Sequence, residues 1–92
     1  MKVTVKFFAT FREIFGGDVR EFDLDEGTEV QSLLDLLSDS PERRKELFDQ
    51  VATLKPYVKV LKNGRNIHFL EGLHTKLEAG DVLSIFPPVG GG

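Results

Sequence analysis

The sequence predicts an α+β domain, a mixed sheet with one main helix packed on one face and an additional surface helix. Three observations predict it. Two alternating segments near the N-terminus flank a Gly-Gly turn, a strongly amphipathic stretch follows, and further alternating segments come after it. Two-strand units set around a helix in 92 residues favour this class over a purely parallel sheet.

From Lys2 to Ala9, Val3, Val5 and Phe7 share one face while Lys2, Thr4 and Lys6 share the other, as in a half-buried strand. Phe8 breaks the alternation by falling on the polar face. Phe11, Ile14 and Phe15 carry the three- and four-residue spacing of a short helical turn, closed by Gly16-Gly17. Val19 to Leu24 alternates again and reads as the second strand of an antiparallel hairpin. Thr28, with Gln31 three residues later, has the pattern of a capping box. Val30, Leu33, Leu34 and Leu37 then fall at i, i+3, i+4 and i+7, so one apolar stripe faces the core.

Ser40-Pro41 reads as an N-cap followed by proline at the first helical position. The helix it opens, PERRKELFDQV, is heavily charged and has only Leu47, Phe48 and Val51 to bury, so it belongs on the surface. Pro56 ends that region, and a third strand runs from Val58 to Lys62. Asn63-Gly64 is a hairpin turn signal and implies a short partner strand around Asn66 to Leu70. Ala79-Gly80-Asp81 marks another turn before the last strand, Val82 to Phe86. The order of elements is that of a β-grasp, or ubiquitin-like, roll over residues 1–86. Residues 87–92 form an extended flexible tail ending in Gly-Gly.

Composition removes whole classes of function. A chain of this length is one domain able to bury roughly 60–65% of its unfolded surface. Its net charge is −3 and it has no basic block, which argues against nucleic acid as partner. It contains no cysteine, so disulfides, thiolate metal sites and cysteine nucleophiles are all excluded. MKVTVKFFAT carries no long apolar run and so no membrane span or signal peptide, which makes a soluble cytoplasmic protein the expectation.

The side chains offer little chemistry. His68 and His74 lie six apart in a segment read as strand and loop, without carboxylates at metal-ligand spacing, and no metal site is expected. Asp23, Asp25, Glu26 and Glu29 form an acidic run at a helix start, where the helix dipole favours negative charge. Gly16-Gly17 belongs to neither a P-loop nor a dinucleotide fingerprint, and Ser32, Ser38, Ser40 and Ser84 sit in no nucleophile elbow. No cofactor is expected to bind, and the chain does not read as a stand-alone enzyme. Phe8 and Phe86 are the exception. Both fall on the face away from the helix, and the first and last strands of a β-grasp sheet are neighbours, so the rings are expected to share one patch for a partner.

The tail is the other feature. Pro87 and Pro88 cannot donate to a sheet ladder and hold the backbone extended, projecting the chain outward. Val89 supplies a small apolar handle, and Gly90, Gly91 and Gly92 can thread a narrow channel. Fully extended, Pro87 to Gly92 spans about 20 Å, enough to enter a partner's active site. The Gly92 carboxylate is a poor electrophile, and an acyl-adenylate made from ATP would activate it. With no ATP site in this chain, a separate adenylating enzyme is implied. The activated acyl group can then accept sulfur, giving a thiocarboxylate, or pass to a lysine as an isopeptide.

KVTVKFFATFREIFGG near the start and LEAGDVLSIFPPVGGG at the end resemble the molybdopterin-synthase small-subunit, sulfur-carrier family (MoaD/ThiS-like, ubiquitin fold). The resemblance covers essentially the whole chain. It implies that Gly91 and Gly92 are the reactive tail and that a ubiquitin-activating-type adenylyltransferase (MoeB-like) adenylates Gly92 with ATP. It also implies that the thiocarboxylate delivers sulfur within a complex with the large synthase subunit (MoaE-like), building molybdopterin for the molybdenum or tungsten cofactor. Phe8 and Phe86, with Pro87, Pro88 and Val89, match the partner-binding positions. The inserted helix from Pro41 to Gln50 fits the molybdopterin branch better than the shorter thiamine-pathway carriers, whereas Gly90 departs from the usual family residue. A ubiquitin-like modifier joined to protein lysines through the same glycines is the alternative, and a β-grasp interaction module without tail chemistry is the second.

Overall fold

A computed structural model describes residues 1–50 and 53–88, with the side chain of Gln50 excepted. Strand β1 (Lys2–Phe7) is followed by the one-turn helix α1 (Phe11–Ile14) and strand β2 (Val19–Asp23). Helices α2 (Val30–Leu37) and α3 (Pro41–Leu47) come next, then a small ribbon of β3 (Phe48–Gln50) and β4 (Thr53–Leu54). Strands β5 (Lys59–Lys62) and β6 (Arg65–Asn66) precede two 3-10 turns, Ile67–Phe69 and Gly72–His74, and strand β7 (Val82–Phe86). The main sheet has the order β2-β1-β7-β5-β6. Only the central pair, β1 and β7, is parallel; the other pairs run antiparallel. This is the β-grasp roll.

Register follows from the alternation. Val5 lies opposite Leu83 and Phe7 opposite Ile85, while Val60 on β5 faces Ile85 from the other side. All five are buried, and they join the α2 stripe of Val30, Leu33, Leu34 and Leu37 in one core. Phe15 stacks on Phe7 with ring centroids 5.2 Å apart and meets Phe11 edge-on at 5.3 Å, so α1 serves as an aromatic plug at one end of that core. The Lys2 carbonyl accepts from the Gly80 N–H, and the Asp81 carbonyl accepts from the Thr4 N–H, tying the start of β1 to the turn before β7.

Local signals are borne out at several points. The Ser40 hydroxyl accepts from the Arg43 N–H at 3.2 Å, and Pro41 stands at the first helical position. Asn63 and Gly64 both have positive φ, 51° and 84°, as a tight turn between β5 and β6 requires.

Four expectations need correction. The capping box does not form: Thr28 Oγ1 donates to the Asp25 carbonyl at 2.6 Å, Glu29 is the N-cap, and Gln31 turns to Asp35. Tertiary contacts replace it, because the Val30 N–H donates to Thr75 O and the Thr28 carbonyl accepts from Leu77 N–H. Helix α3 ends at Leu47, since Phe48 turns to extended backbone and pairs with Leu54. Val51 lies outside the described residues. The strand expected around Asn66 to Leu70 stops at Asn66, whose side chain accepts from the His68 N–H and starts a 3-10 turn. His68 and His74 thus lie in 3-10 turns rather than in strand and loop.

Candidate functional site

The site begins where β1 and β7 finish side by side. β1 ends at Phe7, and the Phe8 N–H still donates to Ile85 O at 3.3 Å, which holds residue 8 against β7. Ala9 then takes a left-handed conformation, φ 52°, which L-residues adopt at some strain, and directs the chain into α1. The turn leaves the Phe8 ring on the outer face of the sheet, next to Phe86. The two rings stack with centroids 4.2 Å apart and planes 11° from parallel. Each is half-buried, so the pair is partly shielded by its own contact rather than fully exposed.

Around the stack, the outer face is set by register. Lys6 pairs with Ser84 and Lys59 with Phe86, which places Lys59 beside Phe86 and Lys6 two residues before Phe8 on β1. Val19, more than half exposed, lies across from Lys6 on β2. β7 runs directly into half-buried Pro87 and Pro88. The stack therefore sits at the root of the tail. Val89, Gly90, Gly91 and Gly92, which carry the rest of the expected site, lie outside the described residues.

The two histidines and Asp81 make contacts within the fold. His74 Nδ1 lies 3.1 Å from Glu29 Oε1, joining a 3-10 turn to the cap of α2, and His68 meets the Phe69 ring edge-on. Among the described residues, no group of His, Cys, Asp or Glu could hold a metal ion. Asp81, only 6% exposed, accepts from Asn63 Nδ2 at 2.9 Å and from the Glu78 N–H at 2.7 Å, with Lys62 Nζ at 3.5 Å. That network fastens β5 to β7. Sequence reading passed over it, because no motif links Asn63 to a residue eighteen positions away.

Residues 5–92 match the model of the ThiS family. The chain belongs to the ThiS family. Small archaeal modifier protein 3 of Haloferax volcanii is 38% identical over 92 residues, spanning the whole of both chains. A provisionally named sulfur carrier protein of Archaeoglobus fulgidus is 34% identical over 93 residues, again across both whole chains. Among solved structures, a provisionally named molybdopterin converting factor subunit 1 from Pyrococcus furiosus is 34% identical, with a TM-score of 0.75. That match covers 97% of this chain and 99% of the other. Proteins of this ThiS-like kind are small ubiquitin-like carriers or modifiers rather than catalytic enzymes. Among the described residues no helix is long and apolar enough to cross a membrane.

Proposed function

We propose that this ThiS-family protein carries sulfur on Gly92 and donates it to molybdopterin formation as the small subunit of a synthase. The observation that carries the proposal is the Phe8–Phe86 stack at the root of the Pro87-Pro88 tail. A docking patch so placed fixes the end of β7 against a partner, and the tail has the reach to enter that partner's active site. Aromatic anchors suit this task, since a few well-packed rings supply most of the binding energy of many interfaces.

In the proposed cycle a Gly92 carboxylate oxygen attacks the α-phosphorus of ATP on a separate adenylating enzyme, and pyrophosphate leaves. A sulfur nucleophile supplied by the partner system then attacks the acyl carbon and displaces AMP. The chain's own contribution is positioning: the stack docks, the prolines project, and the glycines let another backbone approach closely. With no cysteine in the chain, the sulfur has no side chain of this protein to rest on and stays at the tail. The large synthase subunit would take the place of the adenylating enzyme on the same face, so the two partners compete.

A second reading, attachment of Gly92 to protein lysines, is favoured by the 38% identity to a small archaeal modifier protein. Both begin with the same acyl-adenylate and differ only in the nucleophile. Intact-mass spectrometry after incubation with ATP, the adenylating enzyme and a sulfur donor tests the sulfur reading. It predicts the mass change of one oxygen replaced by sulfur, and an unchanged mass would refute it. Peptide mapping of tail remnants on lysines of other proteins tests the modifier reading in the same way.

A further inference from the structure

A second surface runs along the first half of β5. The two most exposed large apolar side chains among the described residues are Phe69, 79% exposed, and Tyr57, 71% exposed. Both line one open groove of about 530 Å³, between the loop that enters β5 and the 3-10 turn after β6. Buried Val58 and Ile67 line it too. The groove arises because β6 is only two residues long: it pairs with Leu61 and Lys62, then turns away at Asn66. The first half of β5 is left without a neighbour on that side.

The charges of the groove are of one sign. Among the described residues its basic lining consists of Lys55, Lys59 and His68, with no carboxylate, on a chain whose net charge is −3. Among the described residues neither Lys55 nor Lys59 is in an ion pair, although Lys62 close by holds both Glu78 and Asp81. Two open rings, an apolar floor and unpaired ammonium groups form a set that matches one chemistry. An aromatic or aliphatic side chain would bury against the rings, where cations rim the site and flanking carboxylates would be held. Rim charges of this kind mainly set specificity and encounter rate, while the buried anchor supplies affinity.

We propose that this groove binds an acidic peptide segment of a partner protein, with one apolar anchor residue seated between Tyr57 and Phe69. Lys59 pairs with Phe86 across β5 and β7, so the groove and the Phe8–Phe86 stack meet at one lysine. A partner docked at the tail root can therefore extend an acidic strand into it. The groove reading does not depend on what happens at Gly92, and peptide binding is read separately from sulfur transfer.

The test is a titration of the full-length, ¹⁵N-labelled protein with a blocked peptide bearing one phenylalanine flanked on both sides by glutamates. Saturable shifts are expected at the amides around Tyr57, His68 and Phe69, weakening as salt is raised. Joint Tyr57→Ala and Phe69→Ala substitution, at positions too exposed to be needed for folding, should weaken binding roughly tenfold. Lys55→Gln with Lys59→Gln should remove the salt dependence and weaken binding less than the loss of the two rings does. Four results would each overturn the proposal. One is no shift at these amides, and another is equal binding of the same peptide with lysines in place of glutamates. The others are stronger shifts there with AMP, which would make the groove a nucleotide site, and shifts on raising protein concentration alone, which would give it to a second copy.

Discussion

Phe8 and Phe86 show what a single residue can reveal. Phe8 is legible because it violates a period of two, falling on the face where Lys2, Thr4 and Lys6 precede it. Its stacking on Phe86 at 4.2 Å needed the parallel pairing of β1 and β7, which no local pattern states. Stacked aromatics couple by about 0.5–1.5 kcal/mol beyond their buried area. A double-mutant cycle with Phe8→Ala and Phe86→Ala, followed by urea unfolding, should return a coupling in that range. The same two substitutions should weaken docking of an adenylating partner by about 2 kcal/mol, measured by calorimetry. Equal affinity would detach the stack from the proposed interface. Ala9 was not legible at all: alanine is ordinarily no left-handed residue, and only the turn from β1 into α1 imposes φ 52°. Ala9→Gly relieves that strain against a smaller gain in unfolded-chain entropy, so it should stabilise the fold by up to about 1 kcal/mol. Thermal unfolding of the variant would show this as a higher midpoint.

At the level of elements, the periodic signals translated well and the end signals only in part. The Val30, Leu33, Leu34 and Leu37 stripe is buried throughout, as its spacing requires. The helix start is a different matter. Thr28 has the right neighbours for a capping box, yet its hydroxyl is spent on the Asp25 carbonyl while residues 75 and 77 satisfy the backbone around the helix start. A tertiary partner supplied what the local motif would have supplied, and sequence spacing cannot show that competition. Ser40 lacks such a partner and caps α3 as its sequence suggests. Ser40→Ala should therefore cost about 1 kcal/mol of stability, whereas Thr28→Ala should disturb the turn and leave the helix cap intact. Arg43 joins the two halves of the helical layer. Its Nε donates to the Ile14 carbonyl at 2.9 Å while Nη1 reaches Asp39 at 3.0 Å, so one side chain closes the end of α1 and braces α3. Arg43→Ala strands the Ile14 carbonyl and should destabilise by about 1–3 kcal/mol in urea. Arg43→Lys, which lacks the planar fork, should recover only part of that loss.

Over the whole molecule, the parallel pairing of the first and last strands sets the fold and, in the proposed function, the root of the reactive tail. Because β1 and β7 lie at the middle of the sheet, the end of β7 is fixed by the core on one face and by the Phe8 contact on the other. The tail thus starts from one of the best-anchored places in the domain. A functional end launched from a central strand can be rigid at its root and free of side chains at its tip. Composition pointed there by elimination, since a chain without cysteine and without a nucleotide motif has few other places for acyl chemistry. It did not point to the groove at Tyr57 and Phe69, because residues 57 and 69 line one groove through the early departure of β6.

The most direct measurement follows sulfur to Gly92. The chain is incubated with ATP, the adenylating enzyme and a sulfur donor, and the C-terminal peptide is then weighed. A variant lacking Gly91 and Gly92 and a Phe8→Ala/Phe86→Ala variant are treated alongside. The account predicts one oxygen exchanged for sulfur on Gly92 of the intact chain, none in the deletion, and slower exchange in the double-alanine variant. Sulfur found on any other residue, or a Gly92 left unchanged by an adenylating enzyme that is active on another carrier, would contradict it.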